Sequence, residues 1–248
     1  MKVIIMAAGV GNRLQAIQGD IPKCLISAGN GKTLIRRIVD IFHDRGIFEI
    51  AVIVGYHAAS IRKELKNDVR YFENKNYLTT NSIMFLWYAK EMLDDDVILL
   101  NADLFYEPQL LDDMLVQNFP VTMLVDSTRI TNADYRFGFS GNTICRFGKD
   151  LTDQETDGED VGMDRIDKGF IKTFKDRLEK MIDAGQCNVW WENVLYSFIE
   201  DQIPIHYFDM AGTFWTEVDT AMDYRRLGDW IETNKSFDSK ELIGTTNC

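Results

Sequence analysis

The chain has 248 residues, of which 46% are hydrophobic and 27% are charged, a composition typical of a globular protein rather than a disordered one. Its formal net charge of −12 argues against nonspecific binding to nucleic acids or anionic membranes, because both attract cationic surfaces. No run of about 18 apolar residues indicates a transmembrane helix, and the four cysteines form no CxxC pair. We therefore expect a cytoplasmic protein with reduced thiols.

The first half of the chain alternates short apolar runs with helical patterns. Continuous apolar runs predict buried strands at 2–6, 50–54, 96–100 and 121–125, and a further strand is predicted at 69–72. Helical periodicity predicts helices at 33–45, 58–66, 81–93 and 107–117. This alternation predicts a doubly wound, mostly parallel mixed α/β sheet, in which ligands bind beyond the carboxyl ends of the strands.

The second half is less regular. Short strands are predicted within 135–147 and at 166–170, 205–209 and 214–218, and helices at 171–184, 189–199 and 220–232. The acidic segment 150–164 is predicted to be a solvated loop, because charge runs usually lie on the surface. The sequence contains no repeat and no Pro/Gly/Ser-rich linker, which predicts one domain over 1–232 followed by a polar tail at 233–248.

A glycine-rich loop directly follows the first predicted strand. Its residues are Ala7, Ala8, Gly9, Val10, Gly11, Asn12 and Arg13. Glycines let the backbone approach a phosphate closely and present N–H groups to it, while Arg13 and the later Lys23 add positive charge. Leu14 stands where a GxGxxG dinucleotide motif has its third glycine, and the Walker A ending is absent. The loop therefore predicts a phosphate site of another kind.

The segments AAGVGNRL and PKCL, with the spacing between them, resemble the signature of the nucleotidyltransferases that make NDP-sugars and CDP-alcohols. The resemblance implies a single-domain, Rossmann-like nucleotidyltransferase fold whose loop wraps the NTP phosphates. It also implies catalytic roles for Lys23 and Arg13, with the lysine neutralising charge at the α-phosphate. Residues 1–126 would then form the NTP-binding half, and residues 127–232 a small, mixed acceptor-binding half.

The middle of the chain resembles one branch of this family, the bacterial LicC-type choline-phosphate cytidylyltransferases. The segments NYLTTNS at 76–82 and VWWEN at 189–193 carry this resemblance. It implies nucleotide contacts from Asn81, Ser82 and Ala102. Asn81 is equally well placed to cap the helix that follows it.

Two aspartates are expected to bind Mg²⁺. Asp103 follows a predicted strand and Asp219 precedes a predicted helix, and both resemble the metal-binding aspartates of the family. Carboxylate oxygens suit Mg²⁺, which neutralises charge during phosphoryl transfer. The alternative is that each aspartate caps a helix.

The predicted acceptor site combines aromatic and carboxylate side chains. Its candidate residues are Trp191, Glu192, Tyr135, Trp215 and Glu217. Such groups hold a quaternary ammonium through cation–π contacts and charge. Trp190 and Trp191 cannot both face one side of a helix, and we predict that Trp191 faces the pocket.

These features predict a cytidylyltransferase that transfers CMP from CTP to a small phosphorylated or phosphonate acceptor and releases pyrophosphate, with Mg²⁺ as cofactor. The acceptor would be phosphocholine-like or 2-aminoethylphosphonate-like. Two alternatives remain, an NDP-sugar pyrophosphorylase acting on a sugar-1-phosphate and a non-catalytic nucleotide-binding sensor. Neither a nucleic-acid nor a membrane partner is expected, and the sequence leaves open whether the protein is a monomer or a homo-oligomer.

Overall fold

A computed structural model describes residues 1–11 and 19–234 of the protein. The predicted contacts of Asn12 and Arg13, and the tail from residue 235, lie outside the described residues. Within these ranges, no helix is long and apolar enough to cross a bilayer.

Six strands lie in the described residues of the first half of the chain. They are β1 (Lys2–Ala7), β2 (Ile50–Val54), β3 (Arg70–Glu73), β4 (Val97–Asn101), β5 (Leu104–Tyr106) and β6 (Val121–Asp126). The second half adds β7 (Arg136–Ser140), β8 (Thr143–Gly148), β9 (Gly158–Ile166), β10 (His206–Asp209) and β11 (Trp215–Glu217). Nine of them form one sheet in the order β3-β2-β1-β4-β9-β6-β10-β8-β7, and β5 pairs with β11 in a separate two-stranded sheet.

Helices connect and cover these strands. They are α1 (Leu34–His43), α2 (Ala58–Leu65), α3 (Ser82–Tyr88), α4 (Gln109–Leu115), α5 (Lys168–Asp183), α6 (Asn193–Glu200) and α7 (Ala221–Thr233). Two short 3₁₀ helices span Lys23–Leu25 and Lys90–Met92. The sheet is apolar on both faces, because Ile4 packs into one hydrophobic cluster while Val3 and Ile5 pack into the other. The predicted doubly wound, mixed α/β fold is confirmed.

The register of the central strands determines where a ligand can bind. Strand β1 pairs in parallel with both β2 and β4, and Met6 lies opposite Ile53 on one side and Asn101 on the other. The carboxyl ends of β1 and β4 therefore meet at one edge of the sheet. This pairing brings the glycine loop after β1 next to Asp103 after β4.

The acidic segment differs from its prediction. Residues 158–164, expected in a solvated loop, belong to β9, which lies antiparallel between β4 and β6. Residues 168–170, expected in a strand, begin α5. Runs of charge locally favour solvent, but backbone pairing on both sides buries Glu159 and Asp164 in the sheet. The Arg129 guanidinium, which lies 2.7 Å from Glu159, offsets part of that burial cost.

Candidate active site

A cleft of about 1300 Å³ opens at the carboxyl ends of β1 and β4. One side, which the sequence predicts to bind the nucleotide and which we call the nucleotide side, includes Gly9, Gly11, Lys23 and the ends of the central strands. Its other side is built from β9, the loop after β6, the turn before α6 and the start of α7. The cleft therefore joins the two halves of the chain that the sequence distinguished.

Three charged side chains meet on the nucleotide side. The Lys23 ammonium lies 3.4 Å from a carboxylate oxygen of Asp103 and forms an ion pair with Asp219. All three side chains are mostly buried, with 14 to 19% of their surface exposed. Because exposed ion pairs contribute little to stability, the burial of these three side chains distinguishes the triad from a surface salt bridge.

Neither aspartate caps a helix. Thr220 is the N-cap of α7 and forms a capping box with Asp223, so the Asp219 carboxylate is not the cap. Asp103 precedes the strand β5 rather than a helix. The alternative capping role is therefore excluded for both residues, and their carboxylates remain directed at the cleft.

Gly11 allows the loop to lie against the lysine. Its φ of +64° is in the region that favours glycine, and a Cβ there would approach Cγ of Lys23 to 2.8 Å. The loop and the lysine thus define each other's position. Any larger residue at Gly11 would displace the Lys23 side chain.

The residues present fit a Mg²⁺ ion. No group of three or more His, Cys, Asp or Glu in the described ranges is arranged to hold a metal. Asp103 and Asp219 nevertheless converge on one point, because a single ammonium contacts both. Mg²⁺ usually binds through one or two carboxylates and takes its other ligands from phosphates and water.

Most predicted nucleotide contacts lie on the cleft. Its lining includes Ala7, Gly9, Gly11, Lys23, Asn81, Ser82 and Ala102. Ala8 is fully buried and Val10 is not part of the lining. Asn81 also caps α3, since its side-chain oxygen accepts a 2.8 Å hydrogen bond from the Ser82 N–H.

The predicted acceptor residues also lie on the cleft, with one exception. Tyr135, Glu192, Trp215 and Glu217 line it. The prediction for Trp191 is wrong, because this side chain is fully buried and its indole N–H donates a 3.0 Å hydrogen bond to Asn101. The adjacent Trp190 lines the cleft instead and is 40% exposed. A buried partner for the indole N–H explains why Trp191 is the inward residue of the pair.

A carboxylate that the sequence reasoning missed lies among them. Asp160 comes from β9 at the point where its register with β6 shifts between Met123 and Val125. At this irregularity Gly162 has a φ of +80° and donates its N–H to Asp160 at 3.0 Å. The Tyr196 hydroxyl donates to the other Asp160 oxygen at 2.6 Å. Strand irregularities next to active sites often redirect a side chain in this way.

Asn101 connects the carboxylates on this side. Its side-chain N–H group donates to Glu192 at 3.3 Å and to Glu217 at 3.4 Å. Its oxygen accepts the bond from Trp191, so the amide orientation is fixed. Gly162 makes room for it, since a Cβ at that position would lie 2.8 Å from the Asn101 side-chain nitrogen.

Burial and mutual repulsion disfavour the charged forms of these acids. Burial, followed by the charge of Asp160, raises the pKa of Glu192 to about 8. Burial also raises the pKa of Asp160, and burial together with the charge of Asp103 raises the pKa of Glu217 well above its usual value. Perturbed acids of this kind in a cleft are typical of functional sites.

Two arginines that no local sequence pattern indicated supply positive charge to the same cleft. Arg129 lies over the Trp215 ring, 4.8 Å from its centre, and Arg226 comes from α7. Burial, followed by the charge of Arg129, lowers the pKa of Arg226 from its ordinary value. The cleft therefore offers separate places for anionic and cationic groups of a ligand.

A mixed α/β sheet with a phosphate-type glycine loop, a lysine and two convergent aspartates defines a nucleotidyltransferase. The chain belongs to the family described as the MobA-like NTP transferase domain, whose sequence profile matches residues 3–129. The resemblance inferred from the sequence is thereby confirmed, and so is the class of enzyme.

Relatives extend this similarity to nearly the whole chain. A choline-phosphate cytidylyltransferase of Streptococcus pneumoniae is 26% identical over 236 residues, which cover 92% of this chain and 96% of that protein. A CTP:phosphoglutamine cytidylyltransferase of Campylobacter jejuni is 25% identical over 248 aligned positions, covering 90% and 97%. The solved structure of the CTP:phosphocholine cytidylyltransferase from Streptococcus pneumoniae has a TM-score of 0.78 at 22% identity and covers 93% of this chain and 98% of that one. This structural similarity shows a common fold.

Proposed function

We propose that the protein transfers CMP from CTP to a small phosphate or phosphonate that carries a positively charged group, and releases pyrophosphate. The observation that carries the proposal is the contact of Lys23 with both Asp103 and Asp219 beside the glycine loop. The choice of CTP is supported by the two relatives named as cytidylyltransferases, each similar over about nine-tenths of the chain.

The proposed reaction needs little covalent help from the protein. An oxygen of the acceptor's phosphate or phosphonate attacks the α-phosphorus of CTP, and the new P–O bond forms opposite the bond that breaks. The electron pair of the broken bond leaves with pyrophosphate. Because the attacking oxygen is already an anion, the step requires no general base.

The chain's own residues orient and neutralise the reacting groups. The glycine loop offers its N–H groups to the nucleotide phosphates, and Lys23 stabilises the negative charge that develops at the α-phosphate. Asp103 and Asp219 would hold Mg²⁺, which supplies Lewis-acid stabilisation of the phosphate oxygens when bound. Lys23 would then exchange its aspartate partners for phosphate oxygens.

The acceptor side supports an acceptor with charges at two ends. Arg129 and Arg226 suit the phosphate or phosphonate group, and Asp160 and Glu192 suit a positively charged group. Either a phosphocholine-like or a 2-aminoethylphosphonate-like molecule has this charge distribution. A sugar-1-phosphate lacks the positive charge and leaves the carboxylates without a counter-ion.

A pyrophosphate-release assay with Mg²⁺ tests the proposal. It would cross CTP, UTP, ATP, GTP and dTTP with phosphocholine, 2-aminoethylphosphonate and glucose-1-phosphate. We expect release with CTP and an amino-substituted acceptor. Release only with glucose-1-phosphate would contradict the proposal and favour an NDP-sugar pyrophosphorylase. Nucleotide binding without release in any combination would favour a nucleotide sensor.

A further inference from the structure

Among the described residues, a buried carboxylate oxygen of Glu192 in the cleft has neither a hydrogen-bond nor an ion-pair partner, whereas the similarly buried Glu159 Oε2 pairs with Arg129. Glu192 is 8% exposed and lines the cleft, and its Oε1 accepts a bond from Asn101. Its Oε2 is buried and accepts none within the described residues. An orphaned buried acceptor is costly, and one that lines a cleft can gain its missing partner from a ligand bound there.

The neighbouring carboxylate, Asp160, is built to remain a strong acceptor. Its two oxygens accept bonds from the Tyr196 hydroxyl and the Gly162 N–H, both of which are neutral donors. Each oxygen keeps a further lone pair. Among the described residues, no lysine, arginine or histidine forms an ion pair within 4 Å with either Asp160 or Glu192. Burial without a counter-ion favours the protonated forms of both acids, so the pair lacks the partner that would stabilise its ionised form, a cation that also donates hydrogen bonds.

The aromatic side chains nearby are less available to a cation than the sequence suggested. The Tyr135 ring stacks on Tyr196 with centres 4.9 Å apart, and Tyr196 also stacks on Phe147 at 4.9 Å. The Trp190 ring carries the Lys149 ammonium 4.9 Å from its centre. A trimethylammonium group needs open aromatic faces, because it has no N–H with which to satisfy carboxylates.

We propose that Asp160 and Glu192 select acceptors with a primary ammonium group over acceptors with a quaternary one. A primary ammonium donates three hydrogen bonds and fills the free acceptor positions of both carboxylates. A trimethylammonium would neutralise charge but leave Glu192 Oε2 without a bond, and Lys149 would repel it from the Trp190 face. This inference rests on the proposed function and specifies its substrate class.

The test compares matched acceptors with CTP and Mg²⁺. The pairs are phosphoethanolamine with phosphocholine, and 2-aminoethylphosphonate with its N,N,N-trimethyl analogue. We expect kcat/KM to be at least about tenfold higher for the primary ammonium in each pair, because the trimethyl compound leaves a buried acceptor without its partner. Equal values, or a preference for the trimethyl compounds, would overturn the inference and leave the cytidylyltransferase proposal intact.

Variants locate the preference in the two carboxylates. Asp160→Asn and Glu192→Gln should each lower kcat/KM for the primary ammonium about tenfold or more, change it less for the trimethyl analogue, and leave KM for CTP unchanged. Asp153→Asn, a carboxylate outside the cleft that pairs with Arg136, is the control and should keep the wild-type ratio. A wild-type ratio retained in both cleft variants would refute their role as specificity-determining residues.

A direct measurement of acceptor binding tests this inference independently of the reaction. Calorimetric titration of wild-type protein with each acceptor reports the preference even if a variant does not fold or no pyrophosphate is released. Tighter binding of the primary ammonium supports the inference, and equal or weaker binding refutes it. Absence of pyrophosphate with CTP and every acceptor would contradict the proposed function alone.

Discussion

The two sides of the cleft balance their buried carboxylates in different ways. On the nucleotide side, Asp103 and Asp219 share the ammonium of Lys23. On the acceptor side, Glu192 and Asp160 receive hydrogen bonds from Asn101, Tyr196 and a backbone N–H, all neutral groups. In the first arrangement an internal ammonium offsets one of the two negative charges and can be exchanged for another cation. The second leaves a demand for positive charge that an acceptor can meet.

Removing the charges of the nucleotide side should have the largest effect. We expect Lys23→Ala and Asp103→Ala each to lower kcat by roughly two to four orders of magnitude, because each removes a stabiliser of the developing phosphate charge. Steady-state pyrophosphate release measures the loss. Lys32→Ala is the matched control, since Lys32 is half-exposed and pairs with Asp40. Near-normal kcat in either cleft variant would refute the role assigned to that residue.

Substitutions of the two adjacent tryptophans should affect different properties, the stability of the fold for one and the binding of the acceptor for the other. Trp191→Ala should lower the free energy of unfolding by about 3–5 kcal/mol, because it empties a buried site and leaves Asn101 without its indole donor. Trp190→Ala should change stability little and raise KM for the acceptor severalfold, since its ring lines the cleft. Denaturant unfolding and acceptor kinetics test the pair. The reverse pattern would contradict the structural assignment of the two rings.

Gly11→Ala tests whether the loop positions the lysine. The added Cβ would lie 2.8 Å from Cγ of Lys23, so we expect kcat/KM to fall about tenfold to a hundredfold. Gly141→Ala is a matched control, because Gly141 also has a positive φ of 61° but nothing within 4 Å of the added atom. Both substitutions strain the backbone by about 1 kcal/mol, and only the first displaces Lys23. Equal activity of the two variants would contradict this account.

The buried Glu192 carboxyl on the acceptor side predicts that the stability difference between wild type and Glu192→Gln depends on pH. In the unfolded chain Glu192 ionises near its ordinary pKa of 4.5, whereas in the folded protein it keeps its proton up to about pH 8. The contribution of Glu192 to stability is therefore greatest below pH 4.5 and is lost as the pH rises toward 8. Glu192→Gln lacks this loss, so between pH 5 and pH 8 its free energy of unfolding should gain about 3–4 kcal/mol on that of wild type, which raises its Tm relative to wild type by about 10 °C.

Thermal unfolding at several pH values measures this effect. Glu49→Gln, which changes a largely exposed carboxylate, should show a constant Tm difference over the same range. A constant difference for Glu192→Gln as well would mean that the Glu192 carboxylate is ionised in the folded protein. The contrast between the two sides of the cleft would then lose its basis.

The sequence contains local signals for the residues of the nucleotide side, but none for Asp160 and the two arginines of the acceptor side, and the reason is physical. Gly11 and Asp103 lie a few residues after β1 and β4, where local geometry requires particular residue types, and Lys23 begins a 3₁₀ helix. Parallel pairing then brings strand ends together without further information. The helices and strands of the first half follow the same logic, because periodicity and continuous apolar runs are local signals.

The acceptor side depends on contacts between distant segments. Asp160 reaches the cleft because β9 inserts between β4 and β6 and its register shifts there, which no local pattern in the acidic segment indicates. Trp191 turns inward because Asn101, ninety positions away in the chain, accepts its indole N–H. Charge and aromatic content identified the right segments, and long-range pairing decided which of their residues face the ligand.

Phosphorus NMR of a single reaction tests the central claim most directly. The protein would be incubated with CTP, Mg²⁺ and 2-aminoethylphosphonate, and the phosphorus signals followed over time. We expect CTP and the phosphonate to disappear together while pyrophosphate and a CMP-phosphonate anhydride appear in equal amounts. CTP that remains intact with this acceptor and with phosphocholine, or that is consumed only with glucose-1-phosphate, would contradict the account.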